Sequence, residues 1–311
     1  MGLLQNPFLY LALGCTLSAC TPLRTPHLSL NKTDTAIVGG KTVTSSDLAS
    51  RSVVGLLIEN KNTGDQEVCS GTLLKGNLIL TAAHCVTDPQ NLLITVVFSN
   101  VMNGDNITTV GRRGLSTAVT AWWGAETHLE SDTGDIALIK FEGSAPTGYI
   151  PVTNLVQEDD LFDNQTVIIA GFGANKITST RIDVNTYPDL IAAIQTGQVV
   201  CQDSMKLEHC KEIKMDGAGT LRQGTSTIAN RHYSSSEIEV AAKSGSTCHG
   251  DSGGPGFIIK NNQFYLWGVA NRAANRKVTD CSVNSIYANV SFFREWLNLA
   301  ASKLHEQSQG N

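Results

Sequence analysis

Along most of this chain the apolar and polar positions fall in the short runs typical of extended structure. Runs rich in branched residues recur at 53–58, 71–74, 78–81 and 92–98, then at 135–139, 167–170, 257–259 and 266–269. Gly, Asn and Asp separate them, which is the pattern of strands joined by turns. So many short strands predict an all-β architecture, a sandwich or a barrel. One stretch departs from this. From Phe292 onward, Phe293, Trp296, Leu297, Ala300 and Leu304 return at helical spacing, with Ser291 placed to cap the start. A C-terminal helix is expected there, with its apolar stripe docked on the core.

A second break lies at 183–219. It carries a short helical pattern at 187–195 and the close pair Cys201 and Cys210, and it reads as an insertion stapled by its own disulfide.

The front of the chain is different again. Residues 8–14 form an apolar core that runs on to Leu17-Ser18-Ala19-Cys20, too short to span a bilayer and ending in small residues. Residues 1–20 are therefore expected to be an export signal. Leu17 to Cys20 also resembles the bacterial lipobox, in which the cysteine is lipidated, although residues 1–7 lack Lys and Arg. The alternative is a cut near Ala19 with Cys20 incidental. Residues 21–36 are polar and hold Pro22 and Pro26, as a linker or pro-segment would. Either way the mature protein is exported, secreted or held by a lipid at a bacterial periplasmic or outer membrane.

Composition narrows the classes. With 311 residues and a scattered net charge of −5, there is material for a large core and no basic face for nucleic acid. Apart from Cys15 and Cys20 there are six cysteines, Cys69, Cys85, Cys201, Cys210, Cys248 and Cys281. An even set in an exported chain points to disulfides, and without a CxxC or HxxxH pattern no metal or other cofactor is expected.

Three segments carry candidate chemistry. Thr81-Ala82-Ala83-His84-Cys85 follows a strand, and Asp135 stands in Thr133-Gly134-Asp135-Ile136-Ala137-Leu138. The third is Gly250-Asp251-Ser252-Gly253-Gly254-Pro255, a serine in a glycine-rich turn. Each has an ordinary reading as a structural histidine, a solvated acid or a surface turn. In this order, and with Ile37-Val38-Gly39-Gly40 and Cys69-Ser70-Gly71-Thr72-Leu73, they resemble the signatures of the chymotrypsin/trypsin-like serine proteases. The resemblance spans residues 37–299.

The resemblance implies a protease domain at 37–300, built as two antiparallel six-stranded β-barrels with a C-terminal α-helix, and a tail at 301–311. It implies catalysis by His84, Asp135 and Ser252, and an oxyanion hole from the N–H groups of Gly250 and Ser252. It implies disulfides Cys69–Cys85 and Cys248–Cys281, while Cys201–Cys210 follows from proximity. It further implies activation by cleavage before Ile37, whose new amine would pair with Asp251. Ala36 at that cut argues against a trypsin-like activator. The substrate pocket would be formed by Ser246, Ala273 and Ser285, with no floor carboxylate to take Lys or Arg, and a small or medium apolar residue is expected there. The strand pattern resumes at 220–224, and 275–280 departs from the family. Trp122, Trp123 and His128 read as loop packing. Protein or peptide substrates and a monomer are expected. The competing reading is a catalytically silent binding protein on the same scaffold.

Overall fold

The computed structural model describes Ile37 and residues 40–309, apart from Thr196, Ser204 and residues 243–245 and 276–280. The expected leader with Cys20, the segment to Ala36, and residues 276–280 of the departing loop lie outside these residues.

After β1 (Lys41–Thr42), six strands form the first barrel: β2 (Val53–Asn60), β3 (Gln66–Leu74), β4 (Leu78–Thr81), β5 (Leu92–Val97), β6 (Gly111–Val119) and β7 (Ala137–Phe141). All pairs are antiparallel, and the ring closes in the order β2-β3-β4-β7-β6-β5. Closure leaves no sheet edge exposed, and Val54, Leu56, Leu73, Ile79, Leu80 and Leu138 are fully buried, some in the barrel and some beneath the elements that cover it. Each such side chain contributes about 1.5–3 kcal/mol by leaving water.

The second barrel is formed by β8 (Thr166–Gly171), β12 (Arg222–Asn230), β13 (Glu237–Val240), β14 (Pro255–Lys260), β15 (Gln263–Ala273) and β16 (Ser285–Asn289). Here β8 pairs with both β14 and β12 and completes the ring, while β1 adds to β12. Its interior centres on Trp267 and Tyr287, both fully buried, with Val167, Ile169, Ile228 and Ile37 around them. The first barrel's core continues across the interface to Phe257, Leu266 and Val269, so the two barrels share one apolar contact zone.

Between β8 and β12 the insertion folds as a small unit. A sheet ordered β10-β11-β9, from β9 (Lys176–Arg181), β10 (Val199–Val200) and β11 (Lys211–Asp216), carries helix α2 (Leu190–Gln195). Ala193, Val199 and Cys210 form its own core, and Cys201 is bonded to Cys210. The insertion thus begins with β9, earlier than 183. A short helix α1 (Gly104–Val110), not anticipated from sequence, is capped by the Asn103 side chain, which accepts from Asn106 N at 2.8 Å.

The C-terminal helix α3 (Arg294–Gln309) lies against β6 and β7, with Leu297, Ala300 and Leu304 buried. Ser291 does not cap it. Its hydroxyl donates to Asn289 Oδ1 at 2.7 Å, and the chain turns so that Phe293 closes over Trp122. Among the described residues no helix is long and apolar enough to cross a membrane.

Candidate active site

His84 stands in a single 3₁₀ turn, Ala83–Val86, directly after β4. A disulfide from Cys85 to Cys69 in β3 ties that turn to the barrel. Asp135 precedes β7, the neighbour of β4, so adjacent strands deliver both side chains to one end of the first barrel. The contact is double: Asp135 Oδ1 accepts from the His84 backbone N–H at 2.9 Å, and Oδ2 lies 2.7 Å from Nδ1. Two bonds from one buried carboxylate fix both the turn and the ring, leaving Nε2 directed away from Asp135. Burial opposes the imidazolium, but the Asp135 carboxylate, with a smaller contribution from Glu67, outweighs it and raises His84 above the ordinary histidine value.

Ser252 comes from the second barrel, in the turn before β14. The loop is held from both sides. Ser252 O accepts from Ser70 N in β3 at 2.8 Å, and Gly253 N donates to Ala270 O in β15 at 2.8 Å. The Ser70 hydroxyl donates to Gly250 O at 2.8 Å and accepts from Phe172 N at 2.9 Å. Glycine is required at two positions. Gly250 has φ +95°, and at Gly253, with φ +81°, a Cβ would lie 2.0 Å from Thr81 Oγ1.

Asp251 is fully buried beneath this loop. Its oxygens accept from Gly173 N at 2.7 Å and Cys248 N at 2.8 Å. Burial pushes its carboxyl up to about 7 against the opposing pull of these two N–H groups and of Arg222. Ile37 is also fully buried, in the second-barrel core that contains Tyr287, and its carbonyl accepts from Gly40 N at 3.3 Å.

His84 and Ser252 line one cavity of about 300 Å³, together with Thr247, His249, Asn271, Arg272 and Ala273. Ser246 and Ser285, placed at the pocket from sequence, are buried behind Thr247. The Ser246 hydroxyl donates to Cys281 O, and the Ser285 hydroxyl pairs with Thr247 Oγ1 at 2.8 Å. Cys248 is bonded to Cys281, and Ile177 of β9 packs against this disulfide. Trp123 lies 6.3 Å from His84 between ring centroids and donates from Nε1 to Thr87 at 3.0 Å, whereas Trp122 stacks on His128 at 4.7 Å. Among the described residues one His/Cys trio comes together, Cys69, His84 and Cys85, but its sulfurs are bonded to each other and offer no thiolate to a metal.

Three contributors escape a reading of local sequence. Ser70 bridges the barrels, Thr247 fronts the pocket, and Glu237, almost fully buried, pairs with Arg272 at 2.6 Å. An acid and a base alternating with apolar residues in two strands look like surface positions. Their separation of 35 residues hides the pair.

Comparison with known proteins agrees with this fold. The trypsin family model matches residues 37–297. Human chymotrypsin-like elastase family member 1 is 24% identical over 86% of this chain and 93% of its own length. The venom peptide isomerase heavy chain of the spider Agelenopsis aperta is 27% identical over 84% of this chain and 98% of its own. CLIP domain-containing serine protease C9 of Anopheles gambiae is 24% identical over 79% of this chain and 63% of its own.

Proposed function

The chain belongs to the trypsin family, and from that we propose that it is a serine endopeptidase working through an acyl-enzyme on Ser252. The observation that carries this reading is the doubly bonded Asp135–His84 pair facing the cavity that Ser252 shares. A serine hydroxyl attacks a peptide carbonyl only as its proton leaves, and His84 Nε2 is the group available to take it. Asp135, on Nδ1, holds the tautomer and stabilises the imidazolium formed in that step. The oxyanion would sit on the N–H groups of Gly250 and Ser252, each worth about 3 kcal/mol in the transition state. The amine then leaves with the proton from His84, and water repeats the sequence to free Ser252 and the acid product.

Activation would follow from cleavage after Ala36. The new Ile37 ammonium would reach Asp251, a buried carboxylate that pairs with no cation at contact distance among the described residues. Pairing would offset the cost of holding that charge out of water and order the loop that carries Ser252. Ser246 offers no carboxylate and its hydroxyl is occupied, which supports selection of small or medium apolar residues and not of Lys or Arg. Ala273 would narrow the entrance.

Three disulfides fit a protein exported to an oxidising compartment. The lipid anchor at Cys20, and a bacterial origin with it, rests on residues 17–20 alone, since the relatives named above are animal proteins. If the anchor exists, the cut before Ile37 frees the enzyme from it.

A fluorophosphonate probe tests the reading. The protein cut before Ile37 should label on Ser252, the uncut protein far more slowly, and Ser252→Ala not at all. Absence of labelling in the cut wild type would instead favour a silent binding protein. Amino-terminal sequencing of labelled protein that still carries residues before Ile37 would refute the activation step.

A further inference from the structure

The site is divided between barrels: His84 and Asp135 on the first, Ser252 on the second. Its performance depends on how firmly the loop ahead of Asp135 is held to the second barrel. That loop is sewn across the gap at several points. Glu237 Oε1 in β13 accepts from Thr133 N at 3.3 Å and from Thr133 Oγ1 at 3.0 Å. Asp132 Oδ1 accepts from Ser236 N at 2.6 Å and Ser236 Oγ at 2.8 Å. Arg272 in β15 donates Nη1 to Glu237 Oε1 at 2.6 Å, and Nη2 to Glu237 Oε2 at 2.9 Å and to Glu130 O at 3.1 Å. With its amide turned to satisfy its neighbours, the adjacent Asn271 donates to Asp135 O at 2.9 Å.

Contacts with residues 130, 132, 133 and 135 thus all come from β13, β15 and Ser236, the residue just before β13, in the opposite barrel. The ion pair at their centre is shielded, with the Arg272 side chain 14% exposed and that of Glu237 1%. A fork-to-fork Arg–carboxylate contact also fixes direction, which a lysine could not reproduce. Arg272 reaches the cavity wall, but its guanidinium is already spent on Glu237 and Glu130. It is therefore better placed to hold the loop than to bind a substrate acid.

We propose that Glu237 and Arg272 are positioning residues, an inter-barrel clamp that sets Asp135, and through it His84, against Ser252. The proposal rests on the endopeptidase reading, so its test needs one readout that does not involve turnover. Glu237→Gln keeps an acceptor for Thr133 but loses the ion pair. Arg272→Met loses the pair and the Glu130 contact, and Arg272→Lys retains the charge without the fork. In enzyme cut before Ile37, Gln and Met should each lower kcat on the order of 10²-fold with KM little changed, as a displacement of about 1 Å would. Lys should fall between Met and wild type.

The pH profile separates positioning from general loosening. His84 is faced by Asp135 and Glu67 from its own barrel, and Asp135 also feels Arg272. Glu237→Gln leaves the guanidinium unopposed and should move the apparent pKa of kcat/KM down. Arg272→Met leaves the Glu237 carboxylate unopposed and should move it up. The proton shared by His84 Nδ1 and Asp135 gives the turnover-free readout, a far-downfield NMR resonance followed in Ser252→Ala protein. It should broaden or shift in Glu237→Gln.

Folded variants that keep kcat within about twofold, with that resonance and the pH profile unmoved, would overturn the clamp. So would a rise in KM alone, which would make Arg272 a substrate contact. If Gln and Met variants fail to fold, Ser236→Ala and Arg272→Lys decide by the same measurements. Wild type that shows the resonance but never labels would instead count against the endopeptidase reading and leave the clamp to be judged on the resonance.

Discussion

At the scale of single residues, His84 is tuned by its neighbours. Because Asp135 and, to a smaller extent, Glu67 raise its pKa against the effect of burial, the neutral imidazole that the proposed base needs forms at higher pH than in an ordinary histidine. Activity on a peptide substrate should therefore rise with pH through an apparent pKa above the ordinary histidine value, and Glu67→Gln should lower it. An unshifted or reversed profile would contradict the assignment. The stability contributed by the charged His84–Asp135 pair has the opposite course. It is fully present below the unfolded histidine pKa and disappears as pH rises through the raised folded value. The candidate site was legible in sequence because its side chains sit in short, locally determined motifs: His84 before Cys85, and Ser252 among the glycines that its turn requires. What stayed hidden were partners distant along the chain. Nothing near Ser70 reveals that its hydroxyl meets Gly250 O and Phe172 N, and Glu237 reads as a solvated strand residue until the order β13-β16-β15 brings it to Arg272.

At the scale of elements, legibility followed unbroken apolar runs more than burial: β13 and β16 are buried, yet Glu, Ser and Asn interrupt them and they did not stand out. Strands such as β2 and β4, apolar nearly throughout, stood out, while β6, β9 and β11 did not. Gly111 and Gly114 interrupt β6, which exposes Arg113, Leu115 and Val119, and β9 is polar because its small sheet faces solvent. The expected start of the last helix fell early because Phe292 and Phe293 are apolar for another reason, their packing on Trp122. The serine-bearing turn also depends on an element it does not belong to. Removing the Ser70 hydroxyl strands Phe172 N, a buried donor, beside the loop. Ser70→Ala should cost about 1–3 kcal/mol in urea unfolding and slow fluorophosphonate labelling. Full stability would mean that β3 does not support the turn.

At the scale of the whole molecule, the proposed cleavage before Ile37 would be coupled to stability through Asp251. In the uncut chain its carboxyl is raised to about 7, so between the ordinary carboxylate range and that value the folded state binds more protons than the unfolded. The uncut protein should lose stability as pH rises through that window, and Asp251→Asn should flatten the loss. In the cut protein the Ile37 ammonium should lower the Asp251 pKa, and the same comparison should show little difference. Denaturant titrations of Ser252→Ala protein, cut and uncut, would measure this. An identical pH slope in the uncut protein with and without Asp251 would refute it. The disulfides carry a further consequence. Cys69–Cys85 lies within the first barrel, Cys201–Cys210 within the insertion and Cys248–Cys281 within the second barrel. Among the described residues no covalent bond besides the peptide chain joins the barrels. A nick in the crossing between β7 and β8 would leave two pieces held by non-covalent contacts alone, β1 on β12 and Ile37 in the second-barrel core among them. Expressed as separate chains, neither should have a working site, and mixing them should restore one, making this a protein whose activity reports the meeting of its own halves.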